Sequence, residues 1–127
     1  MVEFLDRRAV DYAHTRVLAK WGGLYGTRDD AAIEATIQRP GNKQMYGGDV
    51  GLHELAAAYV FGLATAHGFV DGNKRTAWAA CLAFLHLNGL QVVCQTEVAF
   101  RAVIELVTHV ITEDAFAERL HDWIRPL

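Results

Sequence analysis

Two stretches of this chain contain no Lys, Arg, Asp or Glu: Leu55–Ala66 (LAAAYVFGLATA) and Thr76–Leu87 (TAWAACLAFLHL). As helices they would be apolar on nearly every side, and helices of that kind lie at the centre of a domain. We therefore predict a central helix pair. The segment that joins the two helices would then lie where the scaffold is most rigid.

The segments before this pair indicate two more helices and a flap. Apolar residues recur at helical spacing over Glu3–Lys20, and a short second helix is expected from Asp29 to Arg39. Pro40 is expected to end that helix. The turn-forming residues of Pro40–Gly51 predict an exposed flap, in which Gln44–Tyr46 pairs as a small hairpin.

The segments after the pair continue the helical pattern. The sequence LQVVC, from Leu90 to Cys94, indicates a brief extended piece, and Thr96 and Thr112 each open a further helix. No repeat, linker or low-complexity tract interrupts the chain. We predict an all-α protein with a single domain over residues 1–127.

Composition excludes several classes of protein. With 127 residues, 52% hydrophobic residues and a net charge of -3, the chain has the size of one domain and no basic field for binding nucleic acid directly. The uncharged stretch Leu55–Val70 is shorter than the roughly 20 residues that cross a bilayer. Cys81 and Cys94 lie in apolar runs without metal-binding spacing, which favours free thiols in a reducing compartment. We expect a cytoplasmic protein that does not enter a membrane.

The segment between the two central helices reads His67-Gly68-Phe69-Val70-Asp71-Gly72-Asn73-Lys74-Arg75. It leads into a helix N-terminus, where free backbone N–H groups and the helix dipole favour an anion. Gly72 permits a tight turn, while Asn73 adds an amide and Lys74 and Arg75 add two cations. This composition is typical of a phosphate-binding site.

Two further residues of the segment, Asp71 and His67, indicate a type of reaction. The carboxylate of Asp71 would repel phosphates unless a divalent cation stood between them, which predicts Mg²⁺ with a polyphosphate. His67 can accept a proton near neutral pH. Each residue alone has an ordinary structural explanation, but together they favour transfer of a phosphorus-containing group to a hydroxyl.

The segment HGFVDGNKR resembles the signature of the Fic/Doc family, His-x-Phe-x-Asp/Glu-Gly/Ala-Asn-x-Arg. GGLYG at Gly22–Gly26, KRTA from Lys74 and LNG from Leu87 extend the resemblance to the family's death-on-curing toxins over nearly the whole chain. The resemblance implies a Fic-fold helical bundle that uses ATP and Mg²⁺. It assigns these roles: His67 is the general base, Phe69 anchors the loop, Asp71 holds the metal, and Gly72, Asn73, Lys74 and Arg75 bind phosphates.

The resemblance also implies the reaction. Lys74 stands where adenylylating members carry Gly, and Trp78 stands where they carry a second Arg. Both residues match members that present the γ-phosphate to the target, which favours a kinase. The implied target is a threonine of elongation factor Tu, whose phosphorylation stops translation and growth. The alternatives are transfer of AMP to a protein hydroxyl and a non-catalytic module that binds a nucleotide or an antitoxin.

Partners follow from the same resemblance. The flap would hold the target by strand-like pairing through Lys43, Gln44, Met45, Tyr46 and Gly47. The chain contains no Ser, and no Thr stands at the spacing of the inhibitory helix that many family members carry. Inhibition is therefore expected from a Phd-like antitoxin, whose disordered C-terminal tail folds as a helix in a surface groove.

The remaining histidines and the tryptophans have ordinary interpretations. The other histidines share no metal-binding spacing, so structural roles are favoured for His14, His53, His86, His109 and His121. The tryptophans Trp21, Trp78 and Trp123 are expected to be core aromatics.

Overall fold

The computed structural model describes all residues from Met1 to Leu127. In chain order its elements are α1 (Arg7–Trp21), α2 (Asp30–Tyr46), α3 (Leu52–Thr65), α4 (Asn73–Leu87), β1 (Leu90–Val92), α5 (Thr96–Val107), α6 (Glu113–Trp123) and β2 (Ile124–Pro126). The two strands pair antiparallel, with Leu90 opposite Pro126. The predicted all-α class is confirmed.

Helix α3 lies at the centre of the domain, as predicted. It packs against α2, α4, α5 and α6, and every residue from Leu55 to Val60 is buried. Helix α4 lies along it, with Ala77, Ala80 and Phe84 fully buried. Neighbours cover most of α3, whereas α4 keeps an exposed face that includes Leu82 and Leu87. The predicted central pair, joined by the segment around His67, is confirmed.

The helix boundaries follow local capping. Helix α1 begins at Arg7 and not at Glu3, because the Asp6 carboxylate accepts a hydrogen bond of 2.9 Å from the Ala9 N–H. Asp29 caps α2 in the same way through the Ala32 N–H, and Thr112 caps α6. Both cysteines are free thiols, as expected.

Helix α2 is longer than predicted, and the expected end at Arg39 is wrong. The helix continues to Tyr46, with Pro40 buried inside it. A proline in a helix interior costs about 3 kcal/mol, so tertiary contacts must offset that cost. Arg39 and Lys43, one turn apart, both bind the Glu113 carboxylate of α6, at 2.9 and 3.0 Å.

The hairpin predicted at Gln44–Tyr46 is also wrong, because these residues form the last turn of α2. The flap is reduced to the connection from Gly47 to Gly51, and the small two-stranded pairing lies instead between β1 and β2. The backbone groups of residues 43–46 belong to the end of a helix. They are therefore not arranged to pair with an extended peptide.

The tryptophans are less buried than predicted. Trp21, the last residue of α1, is 54% exposed, so the core position expected for it is wrong. Trp78 and Trp123 are half-buried and pack against the core. None of the helices combines the length and the apolar character needed to span a membrane.

A buried hydrogen bond fixes the N-terminal segment to α3. The Leu5 N–H donates to the hydroxyl of Tyr59, at 2.9 Å, and both residues are buried. Burial raises the pKa of Tyr59, so its hydroxyl stays protonated.

Replacing Tyr59 by phenylalanine should destabilise the fold by about 1–2 kcal/mol, because it leaves a buried N–H without an acceptor. Urea unfolding of Tyr59→Phe measures this loss. Tyr46→Phe is the matched control, since Tyr46 is 83% exposed, and its stability should change by less than about 0.5 kcal/mol. Equal stability of the Tyr59→Phe and wild-type proteins would contradict the expectation.

Candidate active site

The turn between α3 and α4 carries the predicted site residues. Helix α3 ends at Thr65, and His67 follows in a left-handed conformation with φ 52°. Positive φ is uncommon outside glycine, and such positions cluster at functional sites. The turn leaves His67 exposed at the edge of a cavity, where a hydroxyl of another molecule could reach its imidazole.

Phe69 is the buried aromatic residue of the turn. Its side chain is 3% exposed and stacks on the His14 ring of α1, with ring centroids 3.8 Å apart and planes 12° from parallel. His14 Nε2 lies 2.8 Å from the carbonyl oxygen of Asp71. A carbonyl oxygen only accepts hydrogen bonds, so His14 donates from Nε2. His14 therefore has a structural role, and that role is to support the site.

Asn73 closes the turn with two reciprocal hydrogen bonds. Its Oδ1 accepts from the Phe69 N–H and its Nδ2 donates to the Phe69 carbonyl, both at 3.0 Å. One N–H of the side-chain amide is therefore used within the chain. The backbone N–H of Asn73 and the second amide N–H have no acceptor in the chain.

Gly72 shapes the start of α4. It adopts a left-handed conformation with φ 79°, and a Cβ at this position would lie 3.3 Å from Leu18 and 3.4 Å from Val17. The first backbone hydrogen bond of the helix runs from the Thr76 N–H to the Gly72 carbonyl. The N–H groups of residues 73–75 have no acceptor within the chain. Free N–H groups of this kind at a helix start are able to bind an anion.

A segment from Gly22 to Asp29, which we call the strap, runs over this turn. Thr27 and Phe69 form an antiparallel bridge, and the Val70 N–H donates to the Gly26 carbonyl at 3.0 Å. All residues of the strap are exposed. These two contacts bring the backbone that follows α1 against the turn that carries the site residues.

Asp71 is oriented by the strap. Its Oδ2 accepts a 2.7 Å hydrogen bond from the Leu24 N–H, while its Oδ1 has no hydrogen-bond partner in the chain. No three His, Cys, Asp or Glu side chains gather into a complete metal site. The donor set fits Mg²⁺ nonetheless, because this ion is commonly held by one or two carboxylates together with substrate phosphates and water.

The site residues surround a cavity of about 310 Å³. Its lining consists of Ala64, His67, Val70, Asp71, Gly72, Asn73, Lys74, Arg75 and Phe100. The structure therefore brings together the predicted base, the predicted metal ligand and all four predicted phosphate-binding residues. A larger cavity of about 580 Å³ involves Arg39 and Lys43, but Glu113 already pairs with both cations.

Two aromatic residues at the site were not predicted as functional. The Arg75 guanidinium carbon lies 3.8 Å from the ring centroid of Trp21 and 4.9 Å from that of Phe100. The position of Trp21 just before Gly22-Gly23 was a weak signal in the sequence. Phe100 on α5 gave no signal, because its proximity to Arg75 arises only in the folded chain.

The structure does not bring the predicted docking residues Lys43–Gly47 to His67. Helix α2 begins beside the turn, where the Asp29 N–H donates to the Gly68 carbonyl. It then runs for 17 residues to Tyr46, a length of about 25 Å. Residues 43–47 therefore lie at the far end of the helix from the site.

Comparison with known proteins agrees with this geometry. The model of the Fic/DOC family matches residues 4–85. Toxin Doc of Mycolicibacterium smegmatis (strain ATCC 700084 / mc(2)155) is 41% identical over 116 residues, which cover 90% of this chain and 85% of that protein. Protein kinase doc of Escherichia phage P1 is 38% identical over 86 residues, which cover 68% of each chain. The chain therefore belongs to the Fic/Doc family and is similar over most of its length to the Doc toxins of that family.

Proposed function

We propose that this protein is the toxin of a toxin–antitoxin pair that transfers the γ-phosphate of ATP to a threonine of elongation factor Tu, which arrests translation and growth. Its family consists of nucleotide-using transferases, and one relative is named a protein kinase. One observation carries the proposal: an exposed imidazole, an oriented carboxylate and a helix end with free N–H groups line the same cavity.

His67 has the access that a general base needs. The target hydroxyl would approach it from solvent and transfer its proton to the imidazole as the oxygen attacks phosphorus. The left-handed backbone at His67 and the buried anchor Phe69 keep the imidazole at the cavity. Positioning of this kind is most of what phosphoryl transfer requires from a protein.

The start of α4 would hold the transferred group. The N–H groups of residues 73–75 would donate to phosphate oxygens, and the side chains of Lys74 and Arg75 would offset their charge. Asp71, with Oδ1 free, would hold Mg²⁺ together with the phosphates. When bound, the ion neutralises charge that develops on the phosphate oxygens.

Lys74 favours a kinase over an adenylyltransferase. It is exposed at the start of α4 and lines the cavity. Its side chain takes space beside the helix end that a glycine, as found in adenylylating members, would leave open to another phosphate. The position of the label transferred from ATP separates the two reactions.

A Phd-like antitoxin is the proposed inhibitor. The relative from Mycolicibacterium smegmatis is named a toxin. Helices α4 and α5 expose the apolar side chains Leu82, Leu87, Val98 and Ile104. This is the type of surface that the apolar face of a folding C-terminal helix buries in a groove.

The docking role of residues 43–47 stays a prediction. Met45 is 72% exposed and Tyr46 83% exposed, so both side chains are available to a partner. Because α2 separates them from the site by about 25 Å, they would contact a part of elongation factor Tu distant from the phosphorylated threonine.

The first experiment incubates the protein with Mg²⁺, elongation factor Tu and ATP labelled at either the α- or the γ-phosphate. We expect label from the γ-phosphate only. His67→Ala should lower the rate by about 10²–10⁴-fold, because the hydroxyl loses its base. It should also abolish growth arrest without unfolding the protein. His86→Ala, an exposed histidine of α4, should retain the wild-type rate.

Each other outcome of this experiment has a definite meaning. Label from the α-phosphate would make the protein an adenylyltransferase. Full transfer by His67→Ala would contradict the assignment of the base. Absence of transfer from either position would favour another target or a module that only binds nucleotide or antitoxin.

Asp71→Ala should make phosphate transfer much less responsive to Mg²⁺. We expect the stimulation by Mg²⁺ to fall at least about tenfold, which corresponds to ~1.4 kcal/mol, because the chain loses its metal ligand. A titration of the transfer rate against Mg²⁺ measures this effect, with Asp122→Ala on α6 as the control. The role of Asp71 would be refuted if both variants responded to Mg²⁺ like the wild type.

A further inference from the structure

The contacts of Arg75 differ from those of the paired arginines in this protein. Arg7, Arg39 and Arg119 each bind a carboxylate at 2.7–2.9 Å, whereas Arg75 has no ion pair and no hydrogen bond. Its guanidinium carbon instead lies over two aromatic rings, 3.8 Å from the Trp21 centroid and 4.9 Å from the Phe100 centroid. Both distances are within the range of cation–π attraction.

We propose that Trp21 and Phe100 are positioning residues of the nucleotide site and act as an aromatic clamp on Arg75. The inference rests on the proposed function in one respect, since it takes the nucleotide phosphates as the ligand of Arg75. It adds two residues outside the motif His67–Arg75, one from α1 and one from α5.

The clamp suits phosphate binding because of the shape of the guanidinium group. Aromatic rings attract its flat face, while its N–H donors point outwards in the plane. A carboxylate partner would occupy these donors, but the rings leave them free. The clamp therefore restricts the long side chain before the ligand arrives and presents a planar fork, which matches two oxygens of a phosphate.

The exposure of Trp21 shows that its side chain is not part of the core, so that its effect on Arg75 can be tested apart from core packing. The side chain is 54% exposed and is absent from the hydrophobic core cluster. Besides Arg75, its ring attracts Lys20, whose Nζ lies 5.1 Å from the centroid. Removing the indole should therefore leave no buried cavity. A loss of nucleotide binding in the variant would then reflect the loss of Arg75 positioning.

Trp21 also directly precedes the strap. The Leu24 N–H of the strap holds the Asp71 carboxylate, and Trp21 contacts the Arg75 side chain. The end of α1 and the strap that follows it thereby contact both the predicted metal ligand and a predicted phosphate ligand. Asp71 and Arg75 lie on either side of the left-handed turn at Gly72.

The test measures binding of ATP with Mg²⁺ by calorimetry in a His67→Ala background, which prevents turnover. Trp21→Ala should raise the Kd about tenfold, and Trp21→Phe should recover most of the affinity. Lys20→Ala is the control and should bind ATP like the parent. With His67 intact, Trp21→Ala should raise KM for ATP more than it lowers kcat.

The double variant Trp21→Ala/Arg75→Ala distinguishes positioning from a general structural effect. If Trp21 acts through Arg75, Trp21→Ala should cause no further loss of affinity once Arg75 is alanine. An additive loss would overturn the inference, and so would unchanged affinity of Trp21→Ala. If the parent bound no ATP, the nucleotide site of the proposed function would fail, and the clamp with it. If the protein with His67 intact bound ATP but transferred no phosphate, the result would count against the proposed reaction only, and the affinities of the variants would still decide the clamp.

Discussion

The site depends on the two reciprocal hydrogen bonds between the Asn73 amide and the backbone of Phe69. They satisfy a donor and an acceptor next to a buried phenylalanine, where unpaired groups would be costly. They also determine where α4 begins. The free N–H groups of residues 73–75 therefore face the cavity because this turn is closed. An amide that the sequence assigned to a ligand thus also holds the turn together.

Helix α1 and the strap provide the second level of support. His14 holds the Asp71 carbonyl and stacks on Phe69, whereas Leu24 holds the Asp71 carboxylate. Asp71 is therefore held through both its backbone and its side chain by residues more than forty positions earlier in the chain. Such support would orient the predicted metal ligand before any ion binds, which would lower the ordering cost of binding.

The sequence predicted those features that depend on local pattern. The absence of charges in Leu55–Ala66 and Thr76–Leu87 was enough to place the central pair. The residues His67–Arg75 predicted a candidate site, and in the structure seven of them line one cavity. The continuation of α2 through Pro40 was not predictable in this way, because its last turns make tertiary contacts such as the ion pair of Lys43 with Glu113, 70 residues away. The exposed position of Trp21 was missed for the same reason. Hydrophobic character suggested a core residue, but its contact with Arg75 exists only in the folded chain.

The pairing of β1 with β2 has a consequence for the order in which the site is assembled. In the order of the chain, helices α5 and α6 lie between β1 and β2. The pairing of the two strands therefore joins the ends of the segment that contains both helices. Phe100, which lines the cavity beside Arg75, belongs to that segment. During vectorial synthesis, the turn with His67 leaves the ribosome before the segment that contains Phe100, and β2 follows both. A protein proposed to stop the ribosome would thus complete this side of its site only after the turn that carries His67 has been made.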